Sequence, residues 1–299
     1  MKTPQPPNIN NQSKVFHTIH PDTTIGAVSL TIPDLERSIR FYQDVLGMPL
    51  LKQEGHAAHL GAGDRELLIL AEEPGAQRPP NRSTGLYHIA IRVPSRLDLA
   101  RALHWLAEAN FPPQGFANHG VSEAIYLADP DGNGIEIYRD YPRRDWPYRH
   151  GQLQMVTDPL DVQGLLSELR DGVDSPPPAM HPDTILGHIH LKVSDINKSQ
   201  DFYCRVLGFD LVQRYGSSAC FVSAGGYHHH IGMNTWESAG APPSPEGTIG
   251  MRYFSVQLPD PQELERVLTN VRAAGLIAEK QGRGFLVRDP SQNGVFLTN

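Results

Sequence analysis

The sequence has little cysteine and no long apolar run. Cys204 and Cys220 are its two cysteines in 299 residues, too few for a disulfide scaffold and compatible with a reducing compartment. No apolar stretch approaches the roughly 18 residues of a membrane span, and the polar start, residues 1–13, has no signal-peptide core. We therefore expect a cytoplasmic protein that does not enter a membrane.

An excess of positive charge is also missing. Lys and Arg together number 26 and Asp and Glu 33, giving a net charge of −7, which argues against nucleic acid or an anionic membrane as the main partner. With 39% hydrophobic and 20% charged residues, the composition is that of a globular protein. We expect a small-molecule partner, and a homo-oligomer stays open.

An internal repeat organises the chain. The segment His20–Thr23 returns as His181–Thr184, and at the same offset of 161 Phe41-Tyr42 returns as Phe202-Tyr203. Such self-similarity indicates a duplicated unit. The Pro-rich stretch Asp174–Ala179 is then interpreted as part of the connection between the halves, since consecutive prolines continue neither a helix nor a central strand.

Each half divides again. Residues 28–32 alternate like a strand and residues 35–45 have helical spacing, and the same order follows over 84–93 and 97–109. The pattern predicts a β-α-β-β-β module four times, at about 22–75, 84–143, 184–240 and 247–299. The predicted division is a disordered arm (1–21), a first two-module domain (22–143), a linker (144–183) and a second two-module domain (184–299).

Two motifs carry a family resemblance. Four such modules with Ser38–Tyr42 and the run Asp129-Pro130-Asp131-Gly132-Asn133-Gly134-Ile135-Glu136 resemble the vicinal oxygen chelate superfamily. It includes glyoxalases, extradiol dioxygenases, fosfomycin-resistance proteins and metal-free binding proteins. The resemblance implies an α+β fold in which four βαβββ modules form two curved, cup-like mixed sheets with helices outside. The fold by itself does not choose the function.

The resemblance also implies where metal ligands would lie, on the first and last strands of the modules. The four first-strand positions hold Ala27, His88, His188 and Tyr253, and the last-strand positions of the second and fourth modules hold Glu136 and Phe296. An isolated strand histidine is more often structural, but equivalent repeat positions favour a metal site. We expect His88, Glu136 and His188 to bind Fe(II) as a two-histidine, one-carboxylate set, with the second module paired against the third.

Further residues are expected to act beside this metal. The run from His119 to Glu136 resembles the extradiol signature, which implies that His119 and Tyr126 donate hydrogen bonds to substrate oxygens. The run Gly225–Asn234 is predicted as the last strand of the third module, so that His228 and His230 share one face and His229 takes the other.

We align His230 of this run with Glu136 and expect it to be a proton carrier. A fourth metal ligand and a merely polar strand end are the alternatives for His230. The sequence assigns no role to His228 or His229.

The resulting expectation is an Fe(II)-dependent extradiol dioxygenase of the catechol 2,3-dioxygenase type, whose substrates are a small aromatic diol and O2. Two alternatives stay open. One is a glyoxalase-like lyase or isomerase with His88, Glu136, His188 and His230 as four ligands to Zn or Ni. The other is a small-molecule-binding protein without turnover. The sequence does not separate Fe from Mn, Zn or Ni.

Overall fold

The computed structural model describes residues 17–169 and 178–299. Residues 1–16 of the predicted arm and 170–177 of the predicted linker lie outside this range. The strands of the first half are β1 (Thr24–Ile32), β2 (Leu50–Glu54), β3 (Ala57–Ala62), β4 (Arg65–Glu72), β5 (Gly85–Arg92), β6 (Gly115–Asn118), β7 (Ser122–Ala128) and β8 (Gly134–Asp140). A short hairpin, β9 (Tyr148–Arg149) and β10 (Gln152–Leu153), follows.

The strands of the second half are β11 (Ile185–Lys192), β12 (Asp210–Tyr215), β13 (Ala219–Ser223), β14 (Ile231–Asn234), β15 (Gly250–Gln257), β16 (Glu279–Gln281), β17 (Gly284–Arg288) and β18 (Gly294–Thr298). The helices are α1 (Leu35–Arg40), α2 (Arg96–Glu108), α3 (Val162–Leu166), α4 (Ile196–Gln200) and α5 (Pro261–Ala273). π-Helical turns at Phe41–Val45 and Asp201–Leu207 continue α1 and α4, and a 3-10 turn spans Arg143–Asp145. The order gives four βαβββ modules, which confirms the predicted fold class.

The helix that follows the first strand of each module begins at a polar capping residue. Asp34, Ser95, Asp195 and Asp260 are extended and accept backbone N–H groups of the first helical turn. Such caps satisfy donors that a helix start leaves free. The sequence therefore fixes locally where each first strand ends and each helix begins.

The four modules form two eight-stranded mixed sheets, with one module from each half in either sheet. The first sheet has the order β12-β13-β14-β11-β5-β8-β7-β6 and the second β16-β17-β18-β15-β1-β4-β3-β2. At the two centres, β5 pairs antiparallel with β11, and β1 with β15. The second module is thus paired with the third, as expected from the sequence.

Modules of the same half lie in different sheets and are joined by buried hydrogen bonds. The Tyr42 hydroxyl donates to Asp129 at 3.0 Å, and its duplicate Tyr203 donates to Asp289 at 3.1 Å. Asp129 also accepts two backbone N–H groups of its own turn. The duplicated aromatic pairs are therefore core residues, as expected, but each tyrosine also anchors a turn of the next module.

The chain between the modules is folded where the structure describes it. Residues 141–158, here called the cap, include the hairpin β9–β10 and contribute Trp146, Leu153 and Met155 to an apolar cluster with Phe221 of the first sheet. In the predicted arm, Ile19 is buried and its N–H donates to the Gly208 carbonyl at 2.7 Å. Within the described ranges, no helix is long and apolar enough to span a membrane.

Candidate metal centre

Three side chains from neighbouring strands of the first sheet converge at its centre. His88 lies on β5, Glu136 on β8 and His188 on β11. The Nε2 atoms of His88 and His188 lie 3.0 and 3.1 Å from the same Glu136 oxygen, Oε2. The three residues are buried, and their ligand atoms lie within 4.8 Å of one another. The structure thus brings together the three residues that the repeat singled out.

Burial and mutual contact set the charges of this group. Burial alone would raise the pKa of Glu136, but the two facing imidazoles outweigh it and hold that pKa well below its usual range. Burial lowers the pKa of His188 to about 4 despite the neighbouring carboxylate. At neutral pH the group therefore presents a carboxylate and a neutral imidazole, the protonation states in which these groups bind metals.

The donor set fits a divalent metal. His88 Nε2 is buried and has no hydrogen-bond partner among the described residues, although Glu136 Oε2 lies only 3.0 Å away. An unpartnered nitrogen that faces a buried carboxylate oxygen is unfavourable without a cation between them. Two ligands at right angles with bonds of about 2.1 Å stand about 3.0 Å apart, which matches these separations.

Tyr126 and His119 form a hydrogen-bonded pair beside the three residues. Tyr126 lies opposite Glu136 in the β7–β8 register, and its ring centroid is 5.6 Å from that of His88. Its hydroxyl lies 2.7 Å from His119 Nε2, while His119 Nδ1 lies 2.8 Å from the Val156 carbonyl of the cap. Because a carbonyl only accepts, His119 Nδ1 donates to it, and Nε2 can then accept the Tyr126 hydroxyl proton.

The Tyr126 hydroxyl keeps its proton at neutral pH. Burial, together with the charge of Glu136, raises its pKa well above the usual value. Its single proton is donated to His119 in this arrangement, and the hydroxyl would have to turn away from that ring to donate to a ligand oxygen near the three converging residues. The sequence placed His119 and Tyr126 near the metal, but it gave no sign of the cap carbonyl that orients them.

The histidine run departs from the predicted strand. β14 begins at Ile231, and the chain bends at His228 and His230, so alternation between two faces does not apply. The alignment of His230 with Glu136 is also wrong. Glu136 pairs with Ala90, two residues after His88, and the equivalent partner on β14 is Gly232.

The three histidines face different surroundings. The His229 ring centroid lies 4.1 Å from that of His188, and burial lowers the pKa of His229 well below its usual range. His230 instead accepts the Ala224 N–H at Nδ1 over 3.1 Å, and burial lowers its pKa to about 3. Within the run, His229 rather than His230 therefore lies closest to His188, and the His228 ring is farther away at 6.0 Å.

His190 is a further neighbour that the sequence analysis missed. Its ring centroid lies 4.9 Å from that of His88, and its Nε2 lies 3.1 Å from Asn234 Nδ2. The ring covers Gly232, where a Cβ would lie only 3.1 Å from the imidazole. Strand alternation places residues 188 and 190 on one face, and this signal could have identified His190.

Both halves of the chain match one known protein family. The model of the glyoxalase/bleomycin resistance protein/dioxygenase superfamily matches residues 24–137 and 185–295. The chain belongs to this superfamily. The matched ranges cover the four modules and leave out the cap.

The chain has relatives over nearly its full length. It is 49% identical over 285 residues to the catechol-2,3-dioxygenase of Bacillus subtilis, covering 94% of this chain and 98% of that protein. It is 25% identical over 204 residues to a manganese-dependent 2,3-dihydroxybiphenyl 1,2-dioxygenase of Geobacillus genomosp. 3, covering 67% of this chain and 58% of that protein. Glyoxalase I of Zea mays has a similar fold, with a TM-score of 0.56 at 16% identity over 93% of this chain and 92% of that one.

Proposed function

We propose that this protein is an extradiol ring-cleaving dioxygenase of the catechol 2,3-dioxygenase type. The observation that carries the proposal is the buried convergence of His88, Glu136 and His188, with a protonated Tyr126 hydroxyl beside it. Two imidazoles and one carboxylate leave neighbouring coordination positions open, as non-haem Fe(II) oxygenases require. The 49% identity to a catechol-2,3-dioxygenase over 94% of the chain supports the same substrate class.

His88, Glu136 and His188 would hold the metal, and Fe(II) is our first choice. When bound, it supplies open coordination positions and the redox chemistry that O2 requires. Mn(II) also binds carboxylate ligands, and one relative is named as manganese-dependent. The remaining task of the protein is to orient the diol, to move its protons and to exclude bulk water.

The surrounding side chains are suited to that task. Tyr126 would turn its hydroxyl proton from His119 Nε2 to a substrate oxygen, while the Val156 carbonyl holds the His119 ring in place. His229, next to His188, would accept a proton from the diol hydroxyl. The cap lies beside these side chains, because Trp146, Leu153 and Met155 pack against Phe221 of the first sheet and Trp146 contacts the His228 ring at 5.4 Å.

Separate substitutions of His229 and His230 test which of the two histidines is the proton carrier. A positioned acid or base contributes about 10²- to 10⁴-fold to the rate, so His229→Ala is expected to lose that factor and to keep its metal. His230→Ala is the matched control from the same run. Should His230→Ala lose its rate and His229→Ala keep it, our assignment of the proton carrier is wrong. Metal loss in His230→Ala would favour the four-ligand lyase or isomerase.

The central experiment measures metal and oxygen together. Protein purified without oxygen is analysed for Fe and Mn, and uptake of O2 is then followed with catechol, which should give a yellow ring-fission product. Separate alanine substitutions of His88, Glu136 and His188 should remove both metal and turnover. Full metal occupancy in the three variants would refute the ligand assignment. Bound metal with diol binding but no O2 uptake would refute the proposed reaction.

A further inference from the structure

A second cavity lies where β5 and β8 end, beside the cap. Its volume is about 440 Å³, and four arginines line it: Arg92, Arg96, Arg139 and Arg143. We call this cavity with its four arginines the arginine pocket. A chain with a net charge of −7 thus gathers four guanidinium groups around one small cavity, which needs an explanation beyond the folding of the strands.

Three of the four guanidinium groups lie over aromatic rings that also line the pocket. The distances from the guanidinium carbon to the ring centroid are 5.6 Å for Arg92 and Tyr227, 4.1 Å for Arg139 and Tyr141, and 5.5 Å for Arg143 and Trp146. Such contacts are attractive and restrict the rotation of long side chains. Less conformational entropy is then lost when a ligand binds to these groups.

The carboxylates that pair with two of the arginines stand behind the pocket. Glu123 is buried and accepts from both Arg96 and Arg139. Glu168 contacts Arg96 at 2.9 Å, and its side chain is 40% exposed. Neither glutamate lines the pocket. The wall of the cavity is therefore cationic, and the compensating charge lies behind it.

Asp140 is the one acidic residue among the described residues that line the pocket, and both of its oxygens already have partners. Oδ2 accepts from Arg92 at 3.2 Å and from the Tyr227 hydroxyl at 3.0 Å. Oδ1 lies 2.9 Å from His228 Nε2. Asp140 thus occupies Nη1 of Arg92 and leaves the other N–H groups of that guanidinium without a partner in the described ranges.

Arg143 carries a charge that no carboxylate of the described residues neutralises. Its Nη1 donates to the Gly225 carbonyl at 3.2 Å, and its side chain is exposed, so solvent reaches the pocket there. Arg143 and Arg92 therefore both have N–H groups to spare on the same cavity. A guanidinium presents these groups in a planar fork that fits the oxygens of phosphate or carboxylate.

We propose that the arginine pocket binds a small oxyanion, the chemistry that inorganic phosphate shares with the carboxylate groups of an organic acid. The pocket is separate from the candidate metal centre. Tyr227 lies under Arg92, its hydroxyl is 2.8 Å from that of Tyr138, and the Tyr138 ring packs 4.9 Å from the ring of His188. Two buried tyrosines thus stand between them, and the proposal does not depend on the proposed reaction.

Calorimetric titration of the full-length protein tests the proposal. Inorganic phosphate and succinate are titrated separately at constant ionic strength, and the tighter of the two identifies the source of the anion. We expect saturable binding with a Kd of about 1 mM or below for at least one of them. Arg143→Gln should weaken this binding about 10- to 100-fold, because hydrogen bonds to a charged group are lost.

Arg144→Gln is the matched control. Arg144 is the next residue, its side chain is 84% exposed, and it does not line the pocket, so its loss should leave the Kd unchanged. Removal of metal with a chelator that is then dialysed away should also leave the Kd unchanged.

Three results would overturn the proposal. The first is the absence of saturable binding of either anion to the wild type. The second is an equal effect of Arg143→Gln and Arg144→Gln, since binding would then follow only the overall charge. The third is loss of anion binding on removal of the metal, which would place the anion at the metal centre.

Discussion

Glu136→Gln separates metal binding from the stability of the metal-free protein, because each is measured in its own state. The wild-type carboxylate is buried between two imidazoles, which hold its pKa well below the usual range, so its ionised form stabilises the metal-free fold at neutral pH. The isosteric amide removes that charge and preserves the volume. We expect the metal-free variant to unfold below the wild-type temperature, and its metal affinity to fall as well.

The size of the metal effect follows from linkage. A metal present at about 100 times its Kd stabilises the wild type by about 2.7 kcal/mol. Loss of a group that only orients a ligand weakens binding about 10- to 100-fold, so we expect loss of the ligand itself to weaken it at least about 100-fold. The same metal concentration then stabilises the variant by about 0.4 kcal/mol. At about 2–4 °C per kcal/mol, the shift in Tm falls from about 5–11 °C to about 1–2 °C.

The assay compares thermal unfolding of chelator-treated protein with and without Fe(II), in the absence of oxygen. Glu123→Gln is the matched control, because Glu123 is also a buried glutamate of the second module but is paired with Arg96 and Arg139. This control should lower Tm in both states and leave the metal shift intact. A full wild-type shift in Glu136→Gln would refute the assignment of Glu136 as a ligand.

Two further predictions concern stability. Tyr42→Phe and Tyr203→Phe each remove one buried hydrogen bond to a carboxylate. Urea unfolding should show that each variant loses about 1.5–3 kcal/mol of unfolding free energy, and the losses should be nearly additive in the double variant. Losses below about 0.5 kcal/mol would contradict the anchoring role. Burial opposes ionisation of Glu123, but its two arginine partners outweigh burial and lower its pKa. The ionised Glu123 with its two arginines therefore stabilises the fold above the unfolded pKa of about 4.3, and this contribution is lost as the pH falls further. In Glu123→Gln the unfolding free energy should therefore fall less steeply as the pH is lowered. An unchanged pH dependence would show that the contacts of Glu123 with its two arginines contribute nothing.

Position in the repeat was enough to nominate the three converging residues. His88 and His188 occupy the same place in their modules, and a strand presents alternate side chains to one face, so their common orientation follows from local rules. The Asp-Pro turn before Glu136 likewise sets where β8 begins. The capping residues Asp34, Ser95, Asp195 and Asp260 mark where each helix starts. The modular fold and its central site are therefore encoded in short stretches of sequence.

Other features depend on contacts between distant parts of the chain. The histidine run bends before β14, so strand alternation could not tell that His229, and not His230, contacts His188. The cap has no periodic pattern, and residues far along the chain hold it in place. The Met155 N–H donates to the Gln213 side-chain oxygen, for example, and the Gln213 side-chain nitrogen donates to the Met155 carbonyl. The link from Asp140 to His228 spans 88 residues. Hydrogen bonds between irregular segments depend on how the modules pack, which no local pattern contains, and so tertiary structure alone decided them.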